Sequence, residues 1–266
     1  MAKKNSQSQS EKLFPEIKPE LKWLRAEYHL HTFAYRDPRS AFASGSALPV
    51  VSPTTVLLGI VSTLFSIGEA EKAKQFLSVA HHCQVMIDSP EGIIFFRAFH
   101  QLRRYHTMYK GKDKKNGLNS RYGLTTINQG TREYGLVDGL MRIFVGIPDQ
   151  EIEAASLALT NLRHLGTHDS LCSLSSVVET CSQPKPEQVL YLPSRDIAQS
   201  KEQAISLLAK GMTIVTLSCF KQDQPIKPTL QHWHLAGGDD TEHVAYAIQG
   251  YFRGTTKGKV YYKRKS

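Results

Sequence analysis

The sequence predicts an α+β protein: a small body of strands and helices, then a β-rich C-terminal region. Three observations lead there. Segments of twofold apolar alternation and of helical spacing follow one another as strand, helix, strand, strand, helix, strand. A polar, glycine-punctuated and strongly basic excursion separates the second and third strands of that order. Beyond a proline-bearing break at 182–187, the apolar segments are mostly short and strand-like.

Residues 1–20 are polar, with no apolar signal core, and read as a disordered tail. Leu24 to Phe33 alternates apolar and polar residues and reads as the first strand. The loop from Ala34 to Val51 carries Arg36, Pro38, Arg39 and a small flexible run, Ala43 to Ser46. Ser52-Pro53 supplies an N-cap and a proline at the first helical position. Val56, Leu57, Ile60, Val61, Leu64 and Phe65 then recur at helical spacing until Gly68. Glu69 to His82 reads as a more polar second helix. Gln84 to Ile87 and Ile93 to Phe99 read as strands about the turn Asp88 to Gly92. Leu140 to Ile147 is a further strand, and Pro148-Asp149 opens a helix to about Leu165 with Ile152, Ala155, Leu159 and Leu162 on one stripe. Gly166 ends it, and Leu171 to Val178 returns as a strand.

This order is that of the split βαβ unit, ferredoxin-like and RRM-like, and it is expected to occupy residues 21–181. A smaller β-rich domain is expected over 188–266. It would contain a strand at Gln188 to Leu192, a short helix at Lys201 to Lys210, and strand segments at Met212 to Phe220, Val244 to Phe252 and Lys259 to Lys263.

Charge is segregated. The chain carries +9 in all, with +7 between Arg97 and Glu133 and +6 between Tyr251 and Ser266, so the remainder is −4. A local field of this kind recruits a polyanion, whereas a diffuse one only aids solubility. Tyr105, Tyr109 and Tyr122 lie within the first run; Tyr251, Phe252, Tyr261 and Tyr262 lie within the second. Cations interleaved with rings suit single-stranded nucleic acid, whose bases need a π-face and whose backbone needs positive charge. The free N–H groups expected at the Ser52–Thr55 helix start would favour a phosphate. No apolar stretch approaches the roughly 18–20 residues of a membrane span. Cysteines 83, 172, 181 and 219 form no CxxC pair, which argues against a disulfide framework or zinc ribbon and for a reducing cytoplasm.

Several motifs invite catalytic or metal readings. His29 and His31 share one side of a strand without a third ligand nearby, so a structural role is expected. His81-His82 at a helix end, His164 and His168 about Gly166, and His232 and His234 about Trp233 also lack ligand spacing. Gly237 to Asp240 resembles a two-metal palm motif, but only 26 residues follow it and a glycine–aspartate turn is the stronger reading. Arg132-Glu133 stays open between RNA contact and a structural ion pair. No cofactor or metal is expected.

Four motifs in order carry a family resemblance: Leu30-His31-Thr32-Phe33-Ala34 leading to Arg36-Asp37-Pro38; Pro49 to Ile60; Thr131-Arg132-Glu133-Tyr134; and Leu162 to Leu171. Over roughly Ala26 to Val178 the chain resembles the RAMP-superfamily CRISPR subunit that caps the 5′ handle of the guide RNA, the Cas-five family of type I Cascade complexes. The resemblance implies a thumb-like β-hairpin over about 103–133 that crosses the RNA, and contacts to the backbone and large subunits. Target DNA would be met indirectly, through the complex. Carried onto this chain, the handle pocket would lie between the thumb, the Arg36–Arg39 loop and the helix start.

The RNA-contact candidates are therefore Arg36, Arg39, Ser52, Thr54, Thr55, Arg103, Arg104, Tyr105, Tyr109, Lys110, Lys112, Lys114, Lys115, Arg121, Tyr122, Arg132, Arg253 and Lys257. One branch of the family processes guide precursors. A metal-free ribonuclease needs a base and an acid, and Tyr35, His106 and Lys110 are of the right types. Nothing in their spacing makes them converge, so a non-catalytic subunit is the expectation. An unrelated RNA-binding module is the third reading. Subtype, handle sequence and the choice between destruction of invading DNA and guided transposition stay open at this point.

Overall fold

Strand β1 (Lys22–Leu30) organises the first sheet because its alternation sorts two kinds of side chain. Leu24, Ala26, Tyr28 and Leu30 are buried, while Arg25, Glu27 and His29 point to the other side. The computed structural model describes residues 21–35, 46–104, 126–166, 170–184, 206, 211–221, 226, 240–256 and 258–263. Within them the chain is mixed α/β, mostly strand, with three α-helices.

Strand β5 (Met141–Ile147) lies antiparallel against β1, and its Met141, Ile143, Val145 and Ile147 are fully buried. Strand β2 (Gln84–Asp88) pairs with the far side of β5. On the other edge of β1, β6 (Cys172–Leu174) faces Tyr28 to Leu30 and β7 (Glu179–Cys181) faces Trp23 to Arg25. The sheet order is β2-β5-β1-β6, every pair antiparallel. Of the strand expected over Leu171 to Val178, only Cys172–Leu174 is strand, and the chain returns to β1 as β7 just beyond the expected end. Ser175 and Ser176 offer the core no apolar side chain, and the chain leaves β1 after Ser175 N–H bonds the Glu27 carbonyl at 2.7 Å.

Helix α1 (Pro53–Ser66) is capped by Ser52, whose Oγ accepts from the Thr55 N–H at 3.1 Å. Its Val56, Leu57, Ile60, Val61 and Leu64 are buried, each contributing about 1.5–3 kcal/mol of transfer free energy. Gly68 leaves it at φ +89°. Helix α2 (Ala70–Val79) continues as one 3-10 turn, Ala80–His82. Helix α3 (Ile152–Asn161) ends four residues before the expected Leu165, because Leu162 turns to an extended ψ of 125°. The Tyr28 hydroxyl donates to the Leu159 carbonyl at 2.6 Å and ties α3 to the sheet. No described helix is long and apolar enough to cross a membrane.

The second sheet is a long hairpin, β3 (Gly92–Arg104) and β4 (Thr126–Asp138), extended by β11 (Gly258–Tyr262) on β3 and β10 (Tyr251–Thr255) on β11. A separate pair, β8 (Met212–Phe220) and β9 (Thr241–Gln249), packs on α1. Val215, Leu217, Val244, Tyr246, Ile248 and Tyr261 belong to the same hydrophobic core as β1, β5 and the helices. The break expected at 182–187 therefore does not separate two cores. Of the other C-terminal expectations, Gln188 to Leu192 lies outside the described residues, as does the Lys201 to Lys210 helix apart from Ser206, which is helical.

One polar junction fastens these parts. Lys259 of β11 reaches across β3 to Glu133 of β4 at 2.8 Å, and Glu133 is 9% exposed. The same carboxylate accepts from the Ala47 N–H at 2.6 Å and from Ser46 Oγ at 3.3 Å. Lys259 Nζ also donates to the Ala47 carbonyl at 2.8 Å and sits 4.9 Å from the centre of the Phe95 ring. Three segments distant in sequence are joined by one satisfied ion pair. Glu133 thus takes the structural side of the alternative left open above, with Lys259 as its partner.

Removing one member of such a pair strands the other in a dry site. Glu133→Gln is expected to lower stability by about 3 kcal/mol, read as a shift of the urea midpoint at unchanged m-value, with Lys259→Met in the same background recovering part of it. Gly258 faces a different constraint, since a Cβ there would run into the Phe95 carbonyl oxygen. Gly258→Ala should cost about 1–3 kcal/mol by the same measurement, because β11 must move off β3 to accommodate it.

Candidate nucleic-acid interface

The pairing of β11 with β3 places on one sheet the two basic runs that the sequence keeps far apart, with Gly258 opposite Phe96, the residue before the first run begins. The run from Arg97 to Glu133 supplies the outer part of β3, the start of β4 and everything between them. The run from Tyr251 supplies β10 and β11. Cross-strand partners in this sheet share a face. On the inner face lie Phe252, Tyr261 and Ile93, then Lys259, Phe95 and Gly135, then Arg97 and Glu133. On the outer face lie Tyr251 and Tyr262, then Arg253, Val260, Ile94 and Leu136, then Phe96 and Tyr134, then Ala98 and Arg132.

This alternation sorts the rings of the second basic run. Tyr261 is fully buried, with its hydroxyl 2.9 Å from Ser89 Oγ, and Phe252 packs against the core. Tyr251 and Tyr262 stand exposed, their centroids 5.7 Å apart. Phe96 and Tyr134 stack at 6.1 Å with an interplanar angle of 28°. On the opposite parity of β3, beyond the core, Phe99 is also exposed, at 66%.

The solvent face of the first sheet is electrostatically different. Arg25 pairs with Glu179 at 3.1 Å, Arg142 with Glu27 at 2.9 Å and with Asp88 at 3.0 Å, and Lys263 also pairs with Asp88. Three cations there meet three carboxylates, so this face adds no net positive charge to the field of the chain.

The sequence candidates fall into three groups. Arg36, Arg39, Tyr105, Tyr109, Lys110, Lys112, Lys114, Lys115, Arg121, Tyr122 and Lys257 lie outside the described residues, as does His106. Arg103 and Arg104 close the hairpin ladder opposite Ile127 and Thr126; Arg132 is half-buried opposite Ala98, and Arg253 is exposed opposite Val260. These four share one sheet.

The helix start is the third group and requires a correction. Ser52 is fully buried and Thr54 is 2% exposed, because Ser218 of β8 covers the cap and donates to Ser52 Oγ at 3.0 Å. The cap is an internal joint, closed to a phosphate, and only Thr55 is half-exposed. Tyr35 of the suggested catalytic set is half-buried; a Cβ added to Gly166, whose φ is +100°, would lie 3.4 Å from its ring and 3.6 Å from the Thr55 methyl.

The residues missed by sequence reasoning are Lys259, Ile94 and Leu136. The run Ile93-Ile94-Phe95-Phe96 gave a signal, since a four-residue apolar stretch must place two side chains on each face of a strand.

Other chemistry finds little support among the described residues. No group of three His, Cys, Asp or Glu side chains there could hold a metal ion. His29 and His31 are both exposed, with His31 Nε2 2.9 Å from Ser173 Oγ. Burial pushes the Cys83 and Cys172 thiols up to about 12, so both are protonated and inert at neutral pH. Residues 237–239 lie outside the described set, and the Asp240 carbonyl accepts from the Lys221 N–H at 2.9 Å beside the β8–β9 ladder.

No protein-family model matches the chain. It is 23% identical over 199 residues to the CRISPR-associated protein Cas5 of Archaeoglobus fulgidus, a match covering 73% of this chain and 81% of that protein. Among solved structures, a chain of a CRISPR RNA-guided surveillance complex matches 91% of this chain and 90% of its own length at 10% identity, with a TM-score of 0.40. A CRISPR protein from Archaeoglobus fulgidus matches 92% of each chain at 10% identity and a TM-score of 0.35. A chain of the type III-B Cmr-beta complex bound to cognate target RNA matches 60% of this chain and 61% of its own length, at 11% identity and a TM-score of 0.39. With TM-scores below 0.5 these likenesses carry no argument, and the sequence relationship bears the assignment. Joined to the four ordered motifs, that relationship makes the chain similar, over most of its length, to a CRISPR-associated Cas5 protein.

Proposed function

We propose that the chain is a non-catalytic RNA-binding subunit of a type I Cascade effector, capping the 5′ handle of the guide RNA and joining the backbone and large subunits. The carrying observation is the convergence of both basic runs on the single sheet β10-β11-β3-β4. The two runs together carry +13, which attracts phosphates, while the remainder of the chain, at −4, does not. The strand order β2-β5-β1-β6, with helices crossing between β1 and β2 and between β5 and β6, supports reading the body as a ferredoxin-like split βαβ unit. The hairpin β3–β4 leaves that body between its second and third strands, where a thumb would stand. A cytoplasmic ribonucleoprotein is the setting this reading implies.

A sheet that grips a backbone by charge gives a salt-dependent affinity. With about six to eight phosphates neutralised, binding to single-stranded repeat RNA should fall with a log–log salt slope of about −4 to −6. Replacing Lys110, Lys112, Lys114 and Lys115 together by Ala should flatten that slope by about 2–3, measured by fluorescence anisotropy across a salt series. An unchanged slope would reduce the arm to solvated surface. The absence of catalysis is tested separately: repeat RNA incubated with the purified chain, without metal, should stay intact. Specific cleavage abolished by His106→Ala would instead assign guide processing to this subunit.

A further inference from the structure

Beyond the core, the inner parity of β3 presents two exposed residues that the sequence candidates do not include, Arg97 and Phe99. They follow the buried Ile93 and Phe95 at the same twofold spacing, so all four project from one face of the strand. The face that packs on the core at Phe95 thus meets solvent at Phe99.

Arg97 keeps its charge for a definite reason. Its cross-strand partner on β4 is a carboxylate, Glu133, which in an ordinary ladder would neutralise it. Glu133 is instead held by Lys259 at 2.8 Å and by the Ala47 N–H at 2.6 Å. Arg97 makes no ion pair among the described residues, and it is exposed. Phe99 faces Thr131, whose side chain is exposed and too short to cover a ring.

Residues two apart on a strand are separated by about 6.8 Å. Within one nucleotide, the phosphate and the base stand a comparable distance apart. A guanidinium followed at that spacing by an open ring therefore matches one unstacked nucleotide, with its backbone on Arg97 and its base on Phe99. A protein partner fits the pair less well. A hot spot seats its ring among apolar groups that exclude water, whereas the described neighbours of Phe99 on this face are Arg97, Glu133 and Thr131.

We propose that Arg97 and Phe99 form a single-nucleotide subsite at the base of the hairpin, taking one base of a single-stranded RNA by stacking and its phosphate by charge. Stacking is indifferent to base identity, so the subsite fixes the position of the RNA rather than its sequence. The inference rests on the RNA-binding reading and adds to it two residues on the inner face. Because Lys259 occupies Glu133, the pair that anchors the sheet also leaves Arg97 available to a phosphate.

The test is a protein–RNA double-substitution cycle on the purified full-length chain and single-stranded repeat RNA, read by fluorescence anisotropy. Each nucleotide of the RNA is made abasic in turn. Removing the stacked base should weaken binding to the wild-type chain about tenfold, and Phe99→Ala should do the same at an unchanged salt slope. At that one nucleotide the two losses should not add. Phe99→Tyr should keep wild-type affinity, and Phe99→Leu, which keeps apolar area without a π-face, should lose it. Arg97→Gln should flatten the log–log salt slope by about 0.7. Both side chains are exposed, so the variants stay folded. Additive losses at every nucleotide would overturn the subsite, and so would full affinity in Phe99→Leu, since any apolar contact would then suffice. Wild-type binding at the expected salt slope, untouched by Phe99→Ala and Arg97→Gln, would defeat this inference alone. A wild-type chain without affinity for repeat RNA would defeat the RNA-binding reading, and the subsite with it.

Discussion

The structure depends on the buried pair between Glu133 and Lys259. Each belongs to one of the two basic runs, and each also bonds a third segment, Ser46-Ala47. An ion pair with so little exposure adds little net stability, because desolvation offsets most of the attraction. Its effect is positional. With the carboxylate held by Ala47 N–H and the ammonium held by a carbonyl and an aromatic ring, only one register of β11 against β3 satisfies every group. That register decides which residues of two otherwise unrelated segments become neighbours.

The division of labour in the hairpin sheet follows. The inner face is spent on the core through Ile93, Phe95, Tyr261 and the ion pair, so its remaining cations lie beyond the core, where the hairpin extends outward from Arg97. The outer face, freed from packing, keeps large apolar side chains in solvent. A single twofold alternation thus produces an anchored side and a presented side from the same four strands. The first sheet does the opposite, since its solvent face cancels its charges in the network of Arg25, Arg142 and Lys263 with Glu27, Asp88 and Glu179.

Legibility in the sequence tracked the range of the interactions concerned. The alternation of β1 and β5 and the helical spacing of α1 are local signals, and those elements lie where the residues indicate. Leu171 to Val178 was readable as extended, but not that only Cys172–Leu174 would pair and that the next strand would begin at Glu179, because those limits depend on where β1 offers partners. Ser52 and Thr54 look like an open helix start until Ser218, from a strand 166 residues away, closes over the cap. Likewise, nothing local distinguishes Tyr251 and Tyr262 from Phe252 and Tyr261 as candidate stacking rings. Pairing with β3 fixes the parity that buries one pair and exposes the other. Charge segregation was legible in full; the meeting of the charged segments was not, because it is written only in long-range pairing.

The central claim is that guide RNA lies along the sheet formed by both basic runs. Ultraviolet crosslinking of the chain to bound repeat-derived RNA, with mass-spectrometric assignment of the modified peptides, tests it most directly. Crosslinks should concentrate between residues 97 and 132 and between 251 and 266, with the solvent face of the first sheet unmodified. Crosslinks clustered on His29, His31 and Ser173 of that first sheet, with both basic runs clear, would contradict it.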